Sequence, residues 1–196
     1  MNASIFKQKL LLVRAQNGDS EAFGEIYDLY VDKIYRFIFF KVSNHESAED
    51  LTAEVFLKTW QYLNEPDKRE VGNLNALLYQ SARNIVIDFY RSSQREIMPG
   101  DDSLKLIEDS RQQSLLEKVE IGTEIENIVA HLRKLKDEYR EVLILKFIDE
   151  LSTKEISKVL DKSYGATRVL IHRALNILKN TINESENTKS KNSQKD

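Results

Sequence analysis

Ser152 to Asn180 reads STKEISKVLDKSYGATRVLIHRALNILKN, and the fold class is decided there. Ser152 and Glu155 form a Ser-x-x-Glu capping box, in which each residue satisfies the other's free backbone N–H, so a short helix opens at Thr153 and runs to Leu160. Asp161, Lys162 and Ser163 then make a tight turn, and Ser163 caps a last helix that reaches about Asn180. Two helices joined by so short a turn are a helix-turn-helix. The last helix carries Arg168, Arg173 and Lys179 and no acid. Its spacing predicts Val169, Ile171 and Leu175 facing inward and Thr167, Arg168 and His172 facing out. Such a helix fits the major groove of B-DNA, where Arg and Thr meet base edges while Ser163 and the free N–H groups meet phosphates. A helical pair used only for packing has the same outline and stays open on these residues alone.

Working back from this motif, Ile125, Ile128, Val129, Leu132 and Leu135 form an apolar stripe, continued by Tyr139, Val142, Leu143, Lys146 and Phe147. Residues 123–182 are thus expected to be a four-helix, winged-helix-like unit containing the helix-turn-helix, with 11 bases against 9 acids. Residues 183–196 hold no apolar side chain, and a disordered tail is expected. Residues 96–122 begin EIMPGDDS and carry 7 acids against 3 bases, which reads as an acidic linker.

Residues 19–95 read as a second helical domain, preceded by an extension over 1–18. From Asp19 to Lys41 the apolar positions Phe23, Ile26, Tyr27, Tyr30, Ile34, Phe37 and Ile38 fall in steps of three and four. A helix is expected from near Ser47, which with Asp50 resembles a capping box; Leu51, Val55, Phe56, Trp60 and Leu63 follow at helical spacing. Acids at Glu49, Asp50 and Glu54 suit its N-terminal dipole. Asn64 to Gly72 is a loop, and Asn73 caps a third helix with Leu74, Leu77, Leu78, Ala82, Ile85, Val86 and Phe89 inward. Arg83, Asn84, Asp88, Arg91 and Arg95 are placed on its outer face with Tyr79 and Tyr90 beside them. Bases interleaved with rings suit a single nucleic-acid strand, which takes cations at its phosphates and aromatic faces at its bases. An ordinary solvated face explains the same composition.

The chain has 196 residues, 29 basic and 32 acidic, for a net charge of −3. A uniformly basic coat is excluded; a local basic patch is not. With no Cys, disulfides, thiolate metal sites and cysteine nucleophiles are excluded. His45, His131 and His172 lie far apart and show no metal-ligand spacing. No Gly-rich phosphate loop or Ser/His/Asp grouping can be drawn, so no cofactor, no metal and no enzymatic activity are expected. The N-terminal apolar run ends at Arg14, too short for a signal-peptide core, and Arg36 and Lys146 break the two greasiest stretches well short of the roughly 20 apolar residues that span a bilayer. No membrane insertion and a cytoplasmic location are expected.

AEDLTAEVFLKTW (Ala48 to Trp60), ARNIVIDFYRSSQR (Ala82 to Arg95) and SYGATRVLIHRAL (Ser163 to Leu175) together resemble the extracytoplasmic-function (ECF) sigma factors of bacterial RNA polymerase. The resemblance runs from Asp19 to about Ile182, with three motifs in the family's order. It implies an all-α protein of two small helical domains joined by a linker. The first would bind the β′ clamp helices of the polymerase core and open the promoter at its minus-ten element. The second would bind the minus-thirty-five element as duplex and lean on the β flap. The partners implied are RNA polymerase core and promoter DNA, duplex and melted, with room for an anti-sigma factor. Carried residue by residue, the resemblance places Asp50, Leu51, Glu54 and Val55 at polymerase-binding positions, with Phe56 and Trp60 packing inward. It places Arg83, Asn84, Asp88, Tyr90 and Arg91 on the minus-ten helix, and Ser163, Thr167, Arg168, His172 and Arg173 against the minus-thirty-five element. The loop Asn64 to Gly72 would line a pocket for an extruded base. Ala53 stands where the family often has Gln, Tyr164 where it has Glu, and Leu170 where it has Arg.

Two other readings compete. An autonomous helix-turn-helix regulator would bind operator DNA as a dimer, with half-sites about one helical turn apart, but gives no account of ARNIVIDFYR. A helical adaptor without DNA contact would leave DNA binding indifferent to Arg168 and Arg173.

Overall fold

A computed structural model describes residues 3–42, 44–66, 71–97, 131–132 and 134–192. Among these residues there are helices and no strand, and the chain divides into two compact units. The acidic linker, the stretch from Glu124 to Ala130 and the tip of the loop at 67–70 lie outside the described residues.

The first unit contains α1 (Ala3–Gln16), α2 (Ser20–Val42), α3 (His45–Leu63) and α4 (Leu74–Ile97). The stretch read from sequence as an extension is therefore mostly helix: Leu11, Leu12 and Ala15 are buried and α1 packs on α2. The turn between them follows from one glycine. Gly18 takes φ +84°, open to glycine at little cost, and lets the Asp19 N–H reach back to the Arg14 carbonyl at 3.2 Å. Asp19 then caps α2, accepting from the Ala22 N–H at 3.0 Å and from Arg14 Nε at 2.8 Å. These two donors, the Ala22 N–H first, hold its carboxyl below the ordinary aspartate value.

α2 is the centre of the unit and packs on α1, α3 and α4. Ile26, Tyr30, Ile34, Phe37 and Ile38 are buried along it, as the spacing predicts. Phe23 lies 4.9 Å from Trp60 and 6.4 Å from Phe56, and Tyr27 lies 4.7 Å from Phe56, forming an aromatic seam between α2 and α3. The cap of α3 is Asn44, whose side chain accepts from the Ser47 N–H at 2.8 Å; Ser47, expected to be the cap, lies inside the helix. Asn73 caps α4 as expected, accepting from the Ala76 N–H at 2.7 Å.

The second unit contains α5 (Asp137–Leu143), a π turn over Ile144–Ile148, α6 (Thr153–Val159) and α7 (Tyr164–Asn192), with α5 packed on α7. The π turn is marked by the Asp149 N–H donating to the Ile144 carbonyl at 3.0 Å, five residues back. Its extra residue shifts the apolar register. Ile144 and Leu145 are buried, while Phe147, placed in the stripe by α-helical counting, is 54% exposed. The capping box forms fully: the Ser152 N–H donates to Glu155 Oε2 at 2.9 Å, and the Glu155 N–H to Ser152 Oγ at 3.2 Å. α6 ends with Asp161 at φ +50° and the Lys162 N–H on the Ser157 carbonyl at 2.9 Å, the same backbone device as at Gly18. Ser163 caps α7, accepting from the Ala166 N–H at 3.2 Å. α7 continues to Asn192 instead of ending near Asn180, so most of the expected disordered tail is helical. Lack of apolar residues limits burial, but a helix already started extends by one hydrogen bond per added residue.

Candidate nucleic-acid interface

α3 offers its outer face to a partner. Asp50 is exposed, and half-exposed Glu54 pairs with Lys58 at 2.7 Å, one turn along. An exposed pair of this kind contributes little stability, so both ends can turn to another molecule. Leu51 and Val55 differ from expectation. Both are buried, Val55 completely, because they sit between about a sixth and two-fifths of a turn round the helix from its acids, on the side that with Phe56 packs against the core. They shape the face from behind. Leu57 was missed: it is 57% exposed, seven residues after Asp50 and three after Glu54, hence on the same face. The signal was available in the sequence, since the spacing from Asp50 and Glu54 puts Leu57 outside the apolar stripe of Leu51, Val55 and Phe56.

α4 buries Leu74, Leu78, Ala82, Ile85 and Val86, and leaves Asn84, Asp88 and Arg91 exposed with Arg83 partly so. The two tyrosines depart from the expected outer face. Tyr79 is buried edge-on to Phe37, with ring centroids 5.2 Å apart. Tyr90 is buried and its hydroxyl donates to the Lys41 carbonyl at 2.8 Å, tying α4 to the end of α2. A tyrosine can bury its ring wherever its hydroxyl finds an acceptor, and here one is provided. What remains outward on α4 is polar and charged apart from Ile87, which is 40% exposed between Asn84 and Arg91, with Tyr90 as a support.

α7 provides the second face. Thr167 is completely buried, its hydroxyl donating to the Ser163 carbonyl at 3.0 Å, whereas outward placement was expected. Val169 was expected inward and is 49% exposed. The inner stripe is Thr167, Leu170 and Ala174, at steps of three and four; Ile171 and Leu175 lie half-buried at its edge. The expected phase was rotated because a small hydroxyl residue, satisfied by its own helix, fits the core better than counting polarity suggests. Opposite the stripe, Gly165, Val169, His172 and Asn176 form one exposed row, with Arg168 to one side and Arg173 to the other, both exposed. An open groove of about 600 Å³ follows this helix, with Lys146 and Thr153 on its far wall. Ser163 is exposed at the helix start, where its hydroxyl is engaged as the cap.

The geometry thus brings together Arg168, His172 and Arg173 on α7, Arg83, Asn84, Asp88 and Arg91 along α4, and Asp50 with Glu54 on α3. It withdraws Thr167, Tyr90, Leu51 and Val55 into the core. Residues 26–96 match Sigma-70 region 2 and residues 125–178 match Sigma-70, region 4. The chain is 31% identical over 163 residues to the ECF RNA polymerase sigma factor SigM of Bacillus subtilis, covering 83% of this chain and 96% of that one. The chain belongs to the ECF sigma factors. Similarity extends to SigW of Bacillus subtilis, 29% identical over 90% of this chain and 97% of that one. It extends also to BldN of Streptomyces coelicolor, 34% identical over 86% of this chain; there the chain spans 63% of the relative's length. Two solved structures share the fold at a TM-score of 0.63. One is CnrH in complex with the cytosolic domain of CnrY, at 21% identity, covering 91% of this chain and 98% of that chain. The other is the sigma factor RpoE in complex with the anti-sigma factor NepR from Bartonella quintana, at 23% identity, covering 82% and 96%. An RNA polymerase sigma factor binds the core enzyme and promoter DNA and directs transcription initiation. The autonomous-regulator reading is disfavoured, since it leaves residues 26–96 without a role. Among the described residues, no helix of this sigma factor is long and apolar enough to cross a membrane.

Proposed function

We propose that the two units of this ECF sigma factor divide promoter recognition between them. The first domain takes in 19–95 together with α1, and its α3 face, Asp50, Glu54 and Leu57, meets the β′ clamp helices of the core. The outer edge of α4, Arg83, Asn84, Asp88 and Arg91, meets the melted minus-ten strand, with the loop Asn64 to Gly72 receiving an extruded base. The second domain, 123–182, sets α7 against the minus-thirty-five duplex through Ser163, Arg168, His172 and Arg173, and leans on the β flap. The linker over 96–122 carries acids that suit a basic channel of the polymerase. The protein acts in the cytoplasm, performs no catalysis of its own, and is a target for an anti-sigma factor, as RpoE is for NepR. The observation that carries this reading is the acid-free stretch of α7 up to Asn180, with Arg168 and Arg173 exposed on a helix that a net-acidic chain could have loaded with Asp or Glu.

The test is run-off transcription with purified core polymerase, this protein and a genomic-fragment library. Discrete start sites that depend on the added protein are expected. Core-polymerase binding without any start site would leave only the α3 assignment standing; absence of both would remove the assignment of all three faces.

A further inference from the structure

The outward row of α7 holds one apolar side chain of any size. Gly165 has none, His172 and Asn176 are polar with side chains 3.4 Å apart, and Val169 stands between Gly165 and His172, 49% exposed. Neither packing nor local structure asks for valine there: the inner stripe is complete without it, and a β-branched residue is a weaker helix former than Ala, Leu or Lys. The setting is specific, since the guanidiniums of Arg168 and Arg173 border the row as phosphates on the two edges of a groove would require. One turn before Val169, a Cβ added to Gly165 would meet nothing within 4 Å. The glycine is therefore not demanded by the fold, and it leaves clearance for a surface approaching from outside.

Base pairs present one apolar group in the major groove, the 5-methyl of thymine. We propose that Val169 reads the 5-methyl group of a thymine in the upstream promoter element. This rests on the assignment of α7 to that element and names one base within it. A β-branched side chain in a helix has one strongly preferred rotamer, so the two methyls of Val169 are held in place before DNA arrives. With no acid on this stretch of α7, acceptance from a cytosine amino group by a carboxylate is unavailable, which moves discrimination toward methyl contact beside the Arg donors.

The experiment uses the full chain with core polymerase. Templates randomised in the upstream element are selected by transcription with wild type and with Val169→Ser. Wild type is expected to select a thymine at one position that Val169→Ser no longer selects. Replacing that thymine by deoxyuridine, which lacks only the methyl, is expected to weaken wild-type holoenzyme binding about fourfold, the worth of one buried carbon group, and to leave Val169→Ser unchanged. The inference is overturned if deoxyuridine at every thymine of the element leaves wild-type binding unchanged, or if Val169→Ser selects the same element as wild type. The deoxyuridine arm alters only the DNA and does not depend on the variant folding. Arg168→Ala separates the two levels. If it weakens binding while deoxyuridine has no effect, Val169 alone is excluded; if it too changes nothing, the assignment of α7 to the upstream element has failed.

Discussion

Gly165, Tyr90 and Asp19 show how much one residue can settle. At Gly165 an alanine would find open space and better helix propensity. Gly165→Ala is expected to raise stability by roughly 0.5 kcal/mol while weakening upstream-element binding by the holoenzyme. Thermal unfolding and promoter binding should move in opposite directions; a variant that gains in both would remove Gly165 from the DNA contact. Tyr90→Phe deletes the bond to the Lys41 carbonyl and is expected to cost about 1 kcal/mol of stability, read by urea unfolding. Promoter opening at a temperature where the variant stays folded should be unchanged, and a specific opening defect would return Tyr90 to the minus-ten contact. At Asp19 the ionised form is favoured by the folded state, because the Ala22 N–H and Arg14 lower its pKa. Its contribution is complete above the ordinary aspartate value of 3.8 and is lost as pH falls through the lowered folded value. Asp19→Asn should flatten that acid limb of the stability profile, measured by urea unfolding across pH 2 to 6; an unaltered limb would assign it to other carboxylates.

Between neighbouring residues of a helix, the outcome turns on phase. Val55 and Leu57 are both apolar and two positions apart on α3, yet one is completely buried and the other 57% exposed. Val55→Ala is expected to cost about 2 kcal/mol of stability. Leu57→Ala should leave unfolding nearly unchanged and impair competition for core polymerase; normal assembly would remove Leu57 from the interface. The same logic explains what was legible beforehand. α2 was read almost to the residue because seven apolar side chains keep one strict period. The capping box at Ser152 and Glu155 and the cap at Asn73 were legible because few residue types can do that work. The phase of α7 was not, because Thr167 is polar by type and buried by satisfying its hydroxyl within its own helix. Phe147 was misplaced for another reason: a π turn changes the period, and no composition announces it. The cap of α3 slipped by three residues because Asn44 and Ser47 are equally good candidates on paper.

For the chain as a whole, the charge distribution matters more than its sum. A net charge of −3 opposes general adhesion to DNA, so promoter affinity is expected from the holoenzyme and not from the free protein, which a direct binding comparison at one salt concentration would check. Within the holoenzyme, Arg173→Ala should lower the slope of log affinity against log salt by about one, the mark of one lost phosphate contact. An unchanged slope would point Arg173 elsewhere. The family was legible because three separate motifs occur in order; which face each side chain takes needed the packed helices. The aromatic seam between α2 and α3 has a further use. Trp60 is the single tryptophan of the chain and lies against Phe23, so indole fluorescence of the free protein observes the first unit and is blind to the second. Far-ultraviolet dichroism counts the helices of both. If the two signals melt together, the units unfold as one; if fluorescence changes at its own temperature, the molecule is two independent thermodynamic bodies sharing one backbone.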